Sequence, residues 1–202
     1  MKRKFLFLLM AAALVMGFAA CSEDDEPNKN DDDFVVWDFT PIEFCIYITD
    51  STGHDLLDST YQDNILRNVH AEFDGKSYNV ITQEEYYAMR NGTRFYMPEF
   101  YGLKLYKADI SFAHTPTNYF LMFGEFSGEE NVECRKITLF IPDGNKVELS
   151  YGNHLTWDSQ TNEPIISREF YLNGSKLSDS NGKYGVYHFQ YIPGKHLTYI
   201  PH

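Results

Sequence analysis

The sequence predicts an all-β protein, an antiparallel β-sandwich with one short helix near residues 83–90. Three observations predict it. From Asp33 onward, apolar runs of strand length alternate with turn signals. Asp-Gly or Asn-Gly pairs separate three pairs of such runs, and these dipeptides accept the positive φ of a tight hairpin. Aromatic residues make up 16% of the chain, mostly Tyr and Phe, which pack well on pleated surfaces.

The chain opens with a leader. Lys2, Arg3 and Lys4 precede a continuous apolar run from Phe5 to Val15. That run is shorter than the roughly 20 residues a membrane-spanning helix requires. Ala19 and Ala20 then lead into Cys21, an arrangement that resembles a bacterial lipobox, with Phe18 in place of the usual Leu or Val. The resemblance implies a signal peptide over 1–20 and a lipidated Cys21 that becomes the new N-terminus. An ordinary secretory leader cut after Ala20 is the plainer alternative.

Residues 22–33, SEDDEPNKNDDD, carry seven carboxylates and offer no apolar side chain to bury except one proline. Such a segment cannot offset its ordering entropy and is expected to be an extended tether. Residues 34–202 then form a single domain with room for one substantial core. The whole chain carries a net charge of −12, which repels nucleic acid phosphates and anionic lipid surfaces. No nucleic acid partner is therefore expected, and membrane attachment falls to the lipid.

The elements follow in order. PIEFCIYIT is a strand in which Ile42, Phe44, Ile46 and Ile48 share one phase, and DSTGHD after it is a turn. VHAEF and KSYNVI flank Asp74-Gly75 as a hairpin. ITLFIP and KVELSY flank Asp143-Gly144, and EFYL and SKL flank Asn173-Gly174, in the same way. YFLMFGEF and YGVYHFQYI are apolar on both phases, which places them centrally or between layers. In TQEEYYAMRNG, Thr82 caps a two-turn helix, Glu85 reaches back to complete a capping box, and Asn91-Gly92 ends it.

Cys45 and Cys134 both lie off the apolar phase of their strands. A disulfide between them is a candidate in an exported protein, and spacing alone does not decide it. Catalytic signatures are missing: there is no G-x-S-x-G elbow, and Cys45 and Cys134 both sit inside predicted strands, where packing or pairing is a commoner role than nucleophilic catalysis. No two histidines fall at i, i+2 or i, i+4, so no zinc pattern emerges, and neither metal nor cofactor is expected. Asp50, Asp55 and Asp58 crowd one loop, but their spacing is not that of an EF-hand, and a solvated turn is the simpler reading. The chain reads as a non-enzyme.

Binding is the remaining class. EEYYAMRNGTRFYMPEFYG is the densest aromatic stretch, and Tyr86, Tyr87, Tyr96 and Tyr101 in it are candidate ligand-facing rings, with Trp157 as a fifth. Burial of these rings as a secondary core is the competing expectation.

The segments 38–58, 123–128 (FGEFSG), 140–149 (FIPDGNKVEL) and 171–174 (YLNG) resemble uncharacterised Bacteroidetes lipoproteins with immunoglobulin-like or related sandwich domains. The acid cluster Glu23 to Glu26 resembles the surface-export signal of that group, which implies an outer-membrane lipoprotein on the cell surface, with a periplasmic-facing anchor as the alternative. Asp50-Ser51-Thr52 and Asp58-Ser59-Thr60 resemble its O-glycosylation sequon, which implies modification at Ser51 and Ser59. The resemblance brings no established activity. The function expected is a non-catalytic binding or scaffolding domain, its partner a glycan or an envelope protein. Two narrower readings are a glycan-binding accessory of a polysaccharide-uptake system, and an adhesin or pilus-like subunit with an open edge strand around Phe34 to Phe39.

Overall fold

The computed structural model describes residues 39–89, 102–108, 117–177 and 184–201. The chain divides into two units, Met1–Asp38 and Phe39–His202, and every described residue lies in the second. The calls on Cys21, Tyr96, Tyr101, the tether and residues 34–38 fall outside the described residues.

The described residues form eleven strands, one α-helix and a 3-10 turn at Leu66–Asn68: β1 (Ile42–Thr49), β2 (His70–Phe73), β3 (Lys76–Thr82), α1 (Gln83–Met89), β4 (Leu103–Lys107), β5 (Tyr119–Phe126), β6 (Val132–Ile141), β7 (Asn145–Trp157), β8 (Pro164–Leu172), β9 (Ser175–Lys176), β10 (Tyr184–Gln190) and β11 (Thr198–Tyr199). The all-β class holds. The three hairpins form where expected. Asp74 and Gly75, Asp143 and Gly144, and Asn173 and Gly174 all take positive φ and join β2 to β3, β6 to β7 and β8 to β9. The capping box also forms: Thr82 N–H donates to Glu85 Oε2 at 2.7 Å, and Glu85 N–H donates to Thr82 Oγ1 at 3.1 Å.

The strands lie in one sheet, ordered β11-β10-β1-β5-β4-β3-β2-β6-β7-β8-β9. It is mixed, not purely antiparallel as expected. β1 runs parallel to β10, with Glu43 opposite Tyr184 and Thr49 opposite Gln190. β3 runs parallel to β4. Hairpin signals reveal only local antiparallel pairs, whereas these two pairs join segments distant in sequence. β3 is shared along its length: Lys76 to Asn79 face β2, and Val80 to Thr82 face β4.

The sheet curls around one core, so strands far apart in order meet across it. Phe44 of β1 sits 5.9 Å from Tyr151 of β7, 5.9 Å from Phe170 of β8 and 6.2 Å from Phe126 of β5, ring centre to ring centre. Gly185 of β10 lies so close to Phe170 that an added Cβ would stand 2.5 Å from the ring. Tyr187 donates its hydroxyl to the Tyr171 carbonyl at 3.0 Å, joining β10 to β8.

β1 differs from its predicted pattern. All eight of its residues are buried, not the one phase alone. A second cluster on the outer face, Cys45, Tyr47, Phe120 and Met122, with Tyr106, Ala108, Tyr184 and Val186 packed against it, covers the other phase.

Both cysteines are free, Cys45 buried and Cys134 exposed, so the candidate disulfide is not formed. β1 neighbours β10 and β5, while β6 neighbours β2 and β7. The two thiols therefore never face each other across adjacent strands, which is what their shared phase would have required.

Candidate functional site

Two groupings of polar side chains stand out, one open and one buried. The open one is a cleft of about 390 Å³ lined by Gly53, His54, Asp55, Asp58, Tyr61, Thr117 and Asn118. It forms where the loop after β1 meets the segment entering β5. Leu56 and Leu57 are buried and root the loop in the core. Leu56 N–H donates to the Ile48 carbonyl at 3.0 Å. The Asp55 carboxylate accepts from Leu57 N–H at 2.9 Å and from Tyr119 N–H at 2.8 Å, tying the loop to β5. Asp55 is thus a structural residue, and burial raises its pKa despite those bonds.

The cleft's chemistry is set by Asp50 and His54. Asp50 Oδ1 accepts from Thr52 N–H at 2.7 Å, from Thr52 Oγ1–H at 2.7 Å and from His54 N–H at 2.9 Å. Its desolvation favours the acid, but the hydrogen bonds from Thr52 and His54 outweigh it and lower the pKa to about 2. The Thr52 hydroxyl spends its proton on Asp50, so toward His54 Nδ1, 2.6 Å away, it accepts. Asp50 Oδ2 is a second acceptor, 3.2 Å from Nδ1. Nδ1 therefore carries the proton of neutral His54, and Nε2 carries the lone pair. The imidazole stacks on Tyr61, with centroids 5.3 Å apart and planes 18° from parallel. Asp58 folds like Asp50: its Oδ1 accepts from Thr60 N–H at 2.8 Å and Thr60 Oγ1–H at 2.7 Å. These bonds, with the charge of Lys107, lower its pKa.

The buried grouping lies on the outer face of β1, β4 and β5. Lys104 Nζ donates to Glu125 Oε1 at 2.6 Å and to Glu43 Oε1 at 3.3 Å. Tyr86 of α1 donates its hydroxyl to the same Glu125 oxygen at 2.5 Å, and the ammonium stands 4.7 Å from the Tyr86 ring centre. A β-bulge aims Glu125 at this face. The register shifts between Ile42 and Glu43, and Gly124 and Glu125 take φ of 141° and 69°. Burial raises the pKa of Glu43 against the pull of Lys104. Burial works to lower Lys104, but the hydrogen bond to Glu125 and the two carboxylate charges outweigh it and raise its pKa. With its four polar side chains, Glu43, Lys104, Glu125 and Tyr86, joined by hydrogen bonds, this grouping fastens α1 to the sheet.

The structure separates the residues singled out by sequence. Tyr86 is 3% exposed, so it cannot be a ligand-facing ring; the packing demand of Lys104 and Glu125 turns it inward. Tyr87 is 57% exposed and Trp157, at the end of β7, is 48% exposed. They stand on different elements, and neither lines the cleft. Ser51 and Ser59 are exposed, each between an aspartate and the threonine it caps. Among the described residues, no group of three or more His, Cys, Asp and Glu side chains is placed to hold a metal ion. Sequence reading missed His54, Tyr61, Thr117 and Asn118. The run of aspartates marked the loop, but nothing in the sequence brings residues 117 and 118 to it. Comparison with protein-family models, with characterised proteins and with solved structures gives no match.

Proposed function

We propose that this chain is an exported lipoprotein, anchored through Cys21 to the outer membrane and facing the cell exterior, whose β unit is a non-catalytic binding domain for a saccharide. The observation that carries the binding reading is the open cleft: Asp58, Asn118, Thr117 and His54 supply polar groups beside the stacked rings of His54 and Tyr61. A pyranose needs this combination, hydrogen-bond partners for its hydroxyls and a flat face for its C–H surface. The lipobox-like sequence and the acidic residues after it support the anchor and the surface location.

The curled sheet is read as a β-sandwich of the immunoglobulin-like or a related kind, with β1 and β5 packed over β7 and β8. Phe44 against Tyr151 and Phe170 supports that layering. Ser51 and Ser59 are proposed O-glycosylation sites, and their exposure supports this.

The test is a thermal-shift screen of the purified chain against mono- and polysaccharides. A saturable rise in Tm with at least one saccharide, lost in Tyr61→Ala, is expected. A flat response across the panel refutes the binding reading.

A further inference from the structure

The saccharide reading leaves open which sugars the cleft accepts, and the atoms around it restrict the choice. Asp55 has both carboxylate oxygens engaged by the backbone N–H groups of Leu57 and Tyr119, so it has little to offer a ligand. Asp58 commits Oδ1 to Thr60, and its Oδ2 meets no hydrogen-bond donor among the described residues. His54 commits Nδ1 to Thr52 and Asp50, which leaves the Nε2 lone pair for a ligand. The Thr117 hydroxyl donates to the Tyr119 carbonyl at 2.6 Å, so toward the cleft it too can only accept. Apart from Asn118, whose amide both donates and accepts, these lining side chains offer acceptors, and one of them is the Asp58 carboxylate, whose pKa the hydrogen bonds from Thr60 and the charge of Lys107 lower. Asp50 behind His54 is a second held anion.

Sugar hydroxyls are donors that such acceptors fit, and a hydrogen bond to a charged acceptor is stronger than one between neutral groups. A carboxylate on the sugar would bring a further negative charge into a cleft that already holds the carboxylates of Asp55 and Asp58, with that of Asp50 behind His54, and like-charge contact rejects a ligand. We propose that the cleft selects sugars without negative charge and refuses uronic acids, with Asp58 and His54 Nε2 as the specificity-determining acceptors. This rests on the saccharide-binding reading.

The test uses the full chain in a detergent without sugar head groups. The probes are the methyl glycosides of glucose, galactose and mannose and the matching glucuronide and galacturonide, titrated calorimetrically. A neutral glycoside is expected to bind, and its uronide to bind at least about tenfold more weakly. Asp58→Asn keeps an acceptor for Thr60 but removes the charge, and should both weaken neutral binding about tenfold and narrow the gap to the uronide. His54→Phe keeps a ring to stack on Tyr61 but removes Nε2, and should weaken binding by a similar factor. Circular dichroism and Tm check that both variants fold, and any variant that does not is replaced by Asp58→Ser or His54→Tyr. If a uronide binds as tightly as its neutral parent, or if folded variants at 58 and 54 bind as the parent does, the selection proposal is overturned while the saccharide reading stands. If none of the glycosides binds and the saccharide screen is flat too, the saccharide reading falls and the proposal with it.

Discussion

Replacing Lys104 with Met tests the account of the buried charge cluster. The lysine side chain is 5% exposed and the Glu43 side chain 11% exposed. Met fills nearly the same volume, so packing is largely kept and the charge is what changes. Two carboxylates, Glu43 and Glu125, are left facing one another without their shared cation. Breaking a buried ion pair from one side costs about 3–5 kcal/mol. For a domain of this size that lowers Tm by roughly 10 °C. The pH dependence gives a second, independent check. Burial already raises the Glu43 pKa, and losing the cation, whose charge lowers it, raises it further. A raised folded pKa contributes stability in full below the ordinary carboxyl range, and that contribution disappears as pH rises through the folded value. The deficit of Lys104→Met relative to the parent should therefore be small near pH 4.5 and grow toward pH 7. Urea titrations of both proteins at several pH values measure it. The triple variant Glu43→Gln, Lys104→Met, Glu125→Gln should regain most of the loss, since removing a whole buried charge set is close to neutral. A loss under about 1 kcal/mol at pH 7, or a deficit that is flat or shrinks with rising pH, would refute the reasoning.

Other perturbations reach the remaining parts of the fold. Phe44→Ala empties the point where β1, β5, β7 and β8 converge and should cost about 3–5 kcal/mol by urea denaturation. Gly185→Ala drives a methyl to 2.5 Å from the Phe170 ring and should cost about 1–3 kcal/mol in the same assay, whereas Gly144→Ala meets nothing within 4 Å and suffers only from its positive φ. Thr82→Ala removes one half of the capping box and should cost about 1 kcal/mol, with faster amide exchange in α1 as the local signature. The Asp50 carboxyl, followed by NMR, should titrate near pH 2 and return toward the ordinary range in Thr52→Val, which removes the hydroxyl donor. Cys21→Ser should move the protein from the detergent phase to the aqueous phase in a temperature-induced separation.

Much of the local structure was legible because it is decided locally. Asp74-Gly75 and Asn173-Gly174 turn the chain within two residues, and any fold containing those strands would use them so. Thr82 and Glu85 likewise satisfy each other across a single helical turn, so the capping box could be read without knowing what α1 packs on. The pairing of β1 with β10 is a different kind of fact. Tyr47 and His188 are partners across more than half the chain, and no turn residue or periodicity announces a parallel neighbour at that distance. β4, the strand that β3 joins in parallel, went unrecognised because LKLYK puts a lysine and a tyrosine where a buried strand would show aliphatics.

The same lysine explains why the polar sites were hidden. On sequence, Glu43 in IEFCIYI marks the solvent side of a half-buried strand, and period-two reasoning assigns it there. That inference fails when something charged covers the face. Lys104 neutralises Glu43 only because β5 lies between β1 and β4, and Glu125 reaches the cluster only because the bulge at Gly124 turns it outward. Each of the three residues looks like a surface residue in its own segment, and only the topology makes them a buried set. The cleft follows the same rule. Asp50, Asp55 and Asp58 are visible as a run of acids, yet their roles differ. Asp55 binds the backbone of β5, Asp50 orients His54, and Asp58 keeps an oxygen for solvent or ligand. Composition counts the three alike; hydrogen-bond partners drawn from residues 52 to 119 tell them apart. A site made this way is specified by tertiary contacts, so substitutions at Tyr119 or Leu57 that shift the loop should disturb the cleft as much as changes to its lining.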